Sequence, residues 1–394
     1  MSMLNEVRPA DAVKRDRSFT GRLKEIIPWK GDDVKEIIRK VVYISAVAVL
    51  IFSAYNAVEY KFGSTEMWED NDYLSSLYHN SSTDDSSGDT SVSTPADDGN
   101  QGDNAGAILP TDDSSEQPEQ ADDPVDSKYP AGMLDRFKAL YDINPDIIGW
   151  LTIDGLANDK GENYIDYPVM QTTDNDYYLN HDFLRTEKSY GALFADYHVK
   201  ITKDSGPQNT IIYGHNMGAG TFFSHLHDYK KRASVVSENR IITFSTLYEE
   251  NDYIIIGCFL TGIREDQDNI PVFRYHLIFD FEDITDFDYW YQNVLYRNYY
   301  ITDIDCNEND EYLTLSTCST EIADSRFVVI ARKLREGEDP SVYNYYSNPD
   351  VRKPAAFYIA YDMDIPDDDG PNYKYYGKEE TATTESEGIE NNDE

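Results

Sequence analysis

The stretch YLTLSTCSTEIADSRFVVIARK, residues 312–333, contains two apolar runs separated by a short polar segment. Cys318 ends the first run, and Arg326 opens the second run eight residues later. Apolar runs of this length with a short polar connection predict two neighbouring β-strands. The thiol and the guanidinium are therefore expected on the same rim of a sheet or barrel, beside a loop, where functional sites are commonly built.

Similar short runs fill the chain upstream of this stretch. They are punctuated by Gly, Pro, Asn and Asp, which is typical of a mostly β domain, either a barrel or a sandwich. The runs are YIDYPVMQ, YGALFADYH, NTIIYGHN, RIITFSTL and DYIIIGCFL. Two segments, GTFFSHLHDYKKR from Gly220 and FEDITDFDYWYQNVLYRN over 281–298, have helical character. We expect the folded domain to span residues 128–336.

A cysteine that acts as a nucleophile needs a base or a positive partner to supply its thiolate, and donors for the oxyanion that forms on attack. In TIIYGHNMG, His215 comes directly after the apolar run and Gly214, so its side chain is expected just past the end of a strand. The side chain of Cys318 is likewise expected at a strand end. His215 and Arg326 are therefore the candidate partners of Cys318. The alternatives are a capping or surface histidine and an edge-strand arginine.

The other two cysteines have different surroundings. Cys258 lies in the apolar run YIIIGCFLTG, which predicts a small core residue. Cys306 lies in DIDCNEND, where its acidic neighbours Asp305 and Glu308 are expected to raise the pKa of the thiol. A disulfide between Cys258 and Cys306 stays open, and an odd number of cysteines leaves at least one free thiol.

One segment is apolar enough to cross a membrane. Residues 41–58, VVYISAVAVLIFSAYNAV, contain no charged side chain and span about 27 Å as a helix, which predicts one transmembrane anchor. Basic residues are concentrated in residues 1–40 and acidic residues follow the span. The positive-inside rule therefore predicts a cytoplasmic N-terminus and a catalytic portion on the extracellular face of the cell membrane.

The net charge of −40 is distributed unevenly, since residues 61–394 carry 24 basic and 66 acidic side chains. Such an anionic portion argues against nucleic acid as a partner. Residues 59–127 are predicted to form an acidic, disordered stalk, because 80–127 contain no Lys, Arg or aromatic residue. Residues 337–394 form a Tyr/Pro-rich and acidic tail to which the sequence assigns no role.

The TLSTC motif, an arginine eight residues on and YGHNM about a hundred residues upstream together resemble the sortases, cysteine transpeptidases anchored on Gram-positive cells. IIGWLTIDG, IDYPVMQTTDNDYYLNHDF and SYGALFADY resemble the N-terminal half of class B sortases, and the helix over 281–298 matches one that this class carries before its cysteine strand. The resemblance covers about residues 133–334. It implies a closed eight-stranded β-barrel with a few packed helices.

The resemblance also implies roles for single residues. Cys318 would be the nucleophile, His215 its acid/base partner and Arg326 the group that stabilises the oxyanion. The candidate substrate-binding residues are Ser316, Thr317, Asn216, Trp290 and Tyr291. The two aromatic residues would line a substrate groove, or alternatively pack their helix onto the barrel. No cofactor and no metal are expected.

The implied reaction cleaves a C-terminal sorting signal of a secreted protein after its threonine, through a cysteine thioester. Class B resemblance favours an NPxTx-like signal over LPxTG. The acceptor would be an amine of a peptidoglycan precursor, or of a pilin in a polymerising enzyme. Two further alternatives are a Cys/His cell-wall peptidase that transfers the acyl group to water and a surface binding protein without enzymatic activity.

Overall fold

The computed structural model describes residues 26–80, 128–158, 160–367 and 370–372. The chain divides into two compact units, Met1–Asp70 and Asn71–Glu394. In the first unit, Val34–Ala54 is long and apolar enough to cross a membrane and overlaps the predicted span 41–58. It belongs to helix α1, Val34–Asn80. Residues 1–25 of the predicted cytoplasmic segment lie outside the described residues.

A closed eight-stranded barrel forms the centre of the second unit, which confirms the predicted fold. Around the barrel the strand order is β1-β2-β3-β4-β8-β9-β6-β5, and antiparallel pairing of β5 with β1 closes it. The barrel strands are β1 Ile147–Thr152, β2 Asp166–Met170, β3 Leu193–Ala195, β4 Asn209–Tyr213, β5 Ile241–Thr246, β6 Glu250–Gly262, β8 Tyr312–Ser319 and β9 Ser325–Lys333.

Two short strands, four α-helices and several 3-10 helices complete the second unit among the described residues. The strands β7, Tyr300–Thr302, and β10, Tyr345–Ser347, form a separate two-stranded sheet. The helices are α2 Lys138–Ile143, α3 Ala233–Glu238, α4 Ile284–Arg297 and α5 Ala355–Ala360. Asp283 caps α4, because its carboxylate accepts the main-chain N–H groups of Thr285 and Asp286.

Strand β8 lies between β4, which runs parallel to it, and β9, which runs antiparallel. Seven of its eight residues are buried, as expected for a strand that is covered on both faces. The single exposed residue of β8 is Cys318, near the end of the strand. The barrel therefore holds this thiol on a rigid element but leaves it accessible.

The prediction that a disordered stalk begins at residue 59 is wrong for residues 59–80, which continue helix α1. In its last turns, Leu74 and Tyr78 are buried in a cluster with Phe137 and Trp150, and the Tyr78 ring stacks on Trp150 at 4.5 Å. Two apolar residues four apart on one helix face are sufficient for this packing, although the segment is acidic overall. Residues 81–127 of the predicted stalk lie outside the described residues.

The predicted boundary at residue 336 is also too early. Strand β10 pairs with β7, and Phe357 and Tyr358 of α5 pack against Leu260 and Ile322. The sequence of this segment has no helical or strand periodicity because its elements are only three and six residues long. The folded unit therefore extends through the segment that was predicted to be a tail, while residues 373–394 lie outside the described residues.

Candidate active site

Cys318 and Arg326 are direct cross-strand partners in the antiparallel pair of β8 and β9. Side chains of such partners lie on the same face of the sheet, with Cβ atoms about 4.5–5.5 Å apart. Cys318 is exposed and Arg326 is half-buried. One guanidinium nitrogen of Arg326 donates to the main-chain oxygen of Ser325 at 3.1 Å, which restrains the side chain beside the thiol.

His215 reaches the same place from β4. This strand pairs with β8 up to Tyr213 and Ser316, and the N–H of Gly214 then donates to the oxygen of Ser316 at 3.2 Å. A Cβ atom at Gly214 would overlap the side chains of Leu193 and Phe223, so the tight exit from the strand requires glycine. The imidazole Nε2–H of His215 donates to the oxygen of Leu179 at 2.8 Å.

A cavity of about 190 Å³ at this rim contains all three candidate catalytic residues. Its lining residues are Asn175, Leu179, Phe194, Tyr213, Gly214, His215, Ser316, Thr317, Cys318 and Arg326. Among the hydrogen bonds of the described residues, none joins the Cys318 thiol directly to His215. The thiol, the imidazole and the guanidinium therefore share one cavity without being locked to one another.

Ser316 and Thr317 also line the cavity. The hydroxyl of Ser316 is hydrogen-bonded to the hydroxyl of Tyr275 at 2.7 Å in a buried pair. Burial raises the pKa of Tyr275 to about 12, so the phenol stays protonated in neutral solution. The hydroxyl oxygen of Thr317 is buried and has no hydrogen-bond partner among the described residues.

Comparison with known proteins identifies the family. The family model for the sortase domain matches residues 160–334. Sortase B of Listeria monocytogenes is 31% identical over 187 residues, which cover 48% of this chain and 68% of that protein. Sortase B of Staphylococcus aureus is 28% identical over 211 residues, which cover 53% of this chain and 79% of that protein. The chain belongs to the class B sortases.

Solved structures of class B sortases are also similar to this chain. The Staphylococcus aureus sortase B–substrate complex has a TM-score of 0.44 and 29% identity, covering 52% of this chain and 88% of that one. A sortase B in complex with triglycine has the same TM-score and identity, and the match covers 51% of this chain and 86% of that one. Sortases are cysteine transpeptidases, so the family supplies the kind of chemistry that an exposed cysteine beside a histidine and an arginine can perform.

Asn216, which was predicted to bind substrate, contacts the main chain of this sortase. Its side-chain Nδ2 donates to the oxygen of Cys318 at 3.0 Å. His227, on the 3-10 helix Phe223–Lys230, donates to the same oxygen from Nε2 at 3.1 Å. Sequence reasoning placed His227 on a helix without assigning it a role. Its position twelve residues after His215, on the segment that follows the strand-end loop, was the available signal.

Trp290 and Tyr291 are not among the residues that line the cavity, and a substrate role for Tyr291 stays a prediction. Trp290 is fully buried, with its ring 4.7 Å from that of Tyr312. Tyr312 begins β8 and Cys318 lies near its end, which separates them by about 20 Å along the strand. Tyr291 stacks on Phe287 of the same helix. Helix α4 packs these rings onto the barrel, as the alternative reading expected.

The three cysteines are all free in this sortase, so the disulfide between Cys258 and Cys306 is absent. Cys258 is buried in β6, and burial raises the pKa of its thiol. Burial also raises the pKa of Cys306 to about 12, and this effect exceeds that of the neighbouring acids that the sequence suggested. Of the three thiols, only Cys318 is exposed. No group of three or more His, Cys, Asp or Glu within the described ranges could hold a metal ion.

Proposed function

We propose that this class B sortase cleaves a C-terminal sorting signal after threonine and transfers the released acyl group to an amine. The observation that supports this proposal is the single cavity that contains Cys318, His215 and Arg326. The first two supply a nucleophile and a proton carrier, and the third supplies a fixed positive charge for an oxyanion. All three are held by the ends of strands β4, β8 and β9.

In the first half-reaction, the Cys318 thiolate attacks the carbonyl carbon of the threonine, and the carbonyl electrons move onto oxygen. Arg326 stabilises this oxyanion. The carbon–nitrogen bond then breaks, and imidazolium His215 gives its proton to the departing amine. The Nε2–H of His215 is bonded to Leu179, so we assign the transferred proton to Nδ1, which has no hydrogen bond among the described residues.

In the second half-reaction, an acceptor amine attacks the thioester. Neutral His215 takes the proton of the amine as the new amide bond forms, and Cys318 leaves as thiolate. Water in place of the amine would give hydrolysis, which is the peptidase alternative.

We propose further that α1 anchors the enzyme in the cell membrane with its N-terminus in the cytoplasm. The support is the apolar stretch Val34–Ala54, preceded by basic residues and followed by acidic ones. The catalytic unit would then meet secreted proteins as they leave the membrane, where tethering raises the effective concentration of enzyme and substrate. Class B membership favours an NPxTx-like sorting signal. The acceptor would be an amine of the cell wall or of a pilin.

Intact-mass spectrometry of the full-length protein in detergent micelles tests the reaction. The enzyme is incubated with an NPQTN-containing or an LPxTG-type peptide, with and without triglycine. We expect an acyl adduct on Cys318 with the NPQTN peptide, and a triglycine-linked product when the amine is present. Cys318→Ala should give neither, whereas the matched control Cys306→Ala should give both.

Three other outcomes would change the proposal. Hydrolysed peptide without any triglycine product would indicate the peptidase. Reaction with the LPxTG-type peptide alone would overturn the proposed signal. The absence of any adduct on the wild-type protein, with every peptide, would favour a binding protein instead of an enzyme.

A further inference from the structure

The carbonyl group of Cys318 lies where β8 loses one of its two neighbours. Strand β4 pairs with β8 only as far as Ser316, and the N–H of Gly214 makes the last main-chain bond. Had β4 continued in parallel register, the N–H of residue 216 would bond to the oxygen of Cys318. In its place the side chains of Asn216 and His227 donate to that oxygen, at 3.0 and 3.1 Å.

The tautomer of His227 follows from its second neighbour. The ammonium Nζ of Lys230 lies 3.2 Å from Nδ1 of His227, and an ammonium group can only donate. Nδ1 must therefore be bare, and Nε2 carries the hydrogen that points to the oxygen of Cys318. Asn216 Nδ2 lies 3.1 Å from the same Nε2 because both donors converge on one acceptor.

Lys230 is itself held by Glu321 through an ion pair in which both side chains are largely buried. Glu321 belongs to the connection between β8 and β9, only three residues beyond Cys318. The ring of His227 also stacks on Phe327 at 4.8 Å, and Phe327 is the cross-strand partner of Thr317. The ring is therefore fixed from both strands that carry Cys318 and Arg326.

The charge state of His227 agrees with this arrangement. Burial, followed by the charge of Lys230, lowers the pKa of His227, while the oxygen of Cys318 and the carboxylates of Glu321 and Asp228 act in the opposite direction. The ring is therefore neutral in neutral solution. A neutral ring keeps the lone pair on Nδ1 that Lys230 requires.

We propose that His227 is a positioning residue whose donated hydrogen bond fixes the main chain of Cys318, and thereby the direction of its thiol, with Lys230 and Glu321 selecting the required tautomer. This inference rests on the proposed function, since it concerns the same nucleophile. It adds a histidine whose hydrogen bond reaches the main chain of the nucleophile. Without His227, Asn216 would be the remaining donor to the carbonyl of the nucleophile on the side that β4 leaves open.

The test uses full-length protein in micelles and two readouts. The first is kcat and KM for transfer of an NPQTN peptide to triglycine, and the second is the rate of Cys318 alkylation by iodoacetamide, located by peptide mapping. His227→Phe keeps the ring and removes the donor, whereas His227→Gln keeps a donor near the position of Nε2. His225→Phe is the matched control, because His225 lies on the same 3-10 helix but stacks on Tyr164.

We expect His227→Phe to lower kcat about tenfold, as the loss of one hydrogen bond would, with KM little changed and slower alkylation. His227→Gln should recover most of the loss, and His225→Phe should match the wild type. Lys230→Met should lower kcat by a smaller factor, because without this ammonium group either ring nitrogen of His227 can carry the hydrogen. Wild-type kcat and alkylation rate in His227→Phe would overturn the proposal. Equal losses of kcat in the Phe and Gln variants would also overturn it, because the loss would then come from changed side-chain packing and not from the missing donor.

The proposal can still be tested if a variant does not fold or if the wild type is inactive. If a thermal melt shows that His227→Phe does not fold, Lys230→Met decides, and an unchanged kcat in that variant refutes the proposed role. If the wild type transfers no acyl group, the proposed function fails by itself. The alkylation rates would still report whether His227 sets the direction of the thiol.

Discussion

His79 Nε2 lies 3.1 Å from Asp166 Oδ2, and this ion pair joins the last turn of α1 to the first residue of β2. Asp166 also accepts hydrogen bonds from Trp150 at 2.6 Å, Thr152 at 3.0 Å and Ser75 at 2.9 Å. Although burial opposes it, the hydrogen bonds from His79 and Trp150 hold the pKa of Asp166 below its usual value. The hydrogen bond to Asp166 raises the pKa of His79.

We predict that this pair makes stability depend on pH above about 6.5. A raised histidine pKa contributes stability that is fully present below the unfolded-state pKa and is lost as the pH rises through the folded-state pKa. The wild-type Tm should therefore fall more between pH 6 and pH 8 than that of His79→Gln. Thermal melts at several pH values measure this. Parallel Tm curves for the two proteins would contradict it.

Arg326 should contribute to the rate more than to substrate binding. If its guanidinium stabilises the oxyanion, Arg326→Ala should lower kcat by about 10²–10³ with a smaller change in KM. Arg326→Lys should recover part of this loss, because lysine keeps the charge but not the planar fork. Steady-state kinetics with the NPQTN peptide and triglycine measure both. A change confined to KM would instead assign Arg326 to substrate binding.

The control for Arg326 is Arg335→Lys. Arg335 is paired with Asp305 and Asp310 in the region of Cys306, on the side of the barrel where β8 begins. We expect wild-type kcat and KM for this variant, since it changes an arginine that is remote from the cavity.

The strand runs predicted a mostly β domain, and the family resemblance predicted the closed barrel and the roles of the three residues that share the cavity. Strand runs and strand-end polar residues are local signals, and Cys318, His215 and Arg326 carry them. The acceptor of His227 was not predictable from its position after His215, because His227 reaches the Cys318 oxygen across 91 residues of chain. The burial of Trp290 agrees with the packing alternative, but helical spacing identifies an apolar face and not the strand end on which that face packs.

Gly214 should tolerate no side chain. A Cβ atom there would overlap Leu193 and Phe223, so we predict that Gly214→Ala lowers the free energy of unfolding by about 2 kcal/mol and moves His215 within the cavity. The expected results are a lower Tm and a lower kcat. The matched control is Gly206→Ala, because nothing lies within 4 Å of a Cβ atom at Gly206. Equal stability of the two variants would contradict the prediction.

Helix α5 should support the connection between Cys318 and Arg326. Phe357 is buried against Ile322, which lies in that connection, and against Leu260 of β6. The family model ends at residue 334, so this packing is supplied by a segment beyond the matched sortase domain. Removing the ring should leave a cavity under the connection and loosen it.

We predict that Phe357→Ala lowers the free energy of unfolding by about 3 kcal/mol and also lowers kcat. Ile359→Ala on the same helix is the control, because Ile359 is 70% exposed and its truncation should change stability by less than about 0.5 kcal/mol. Denaturant unfolding and steady-state kinetics on both variants measure the two effects. A Phe357→Ala enzyme that is less stable but has wild-type kcat would show that α5 stabilises the barrel without acting on the cavity.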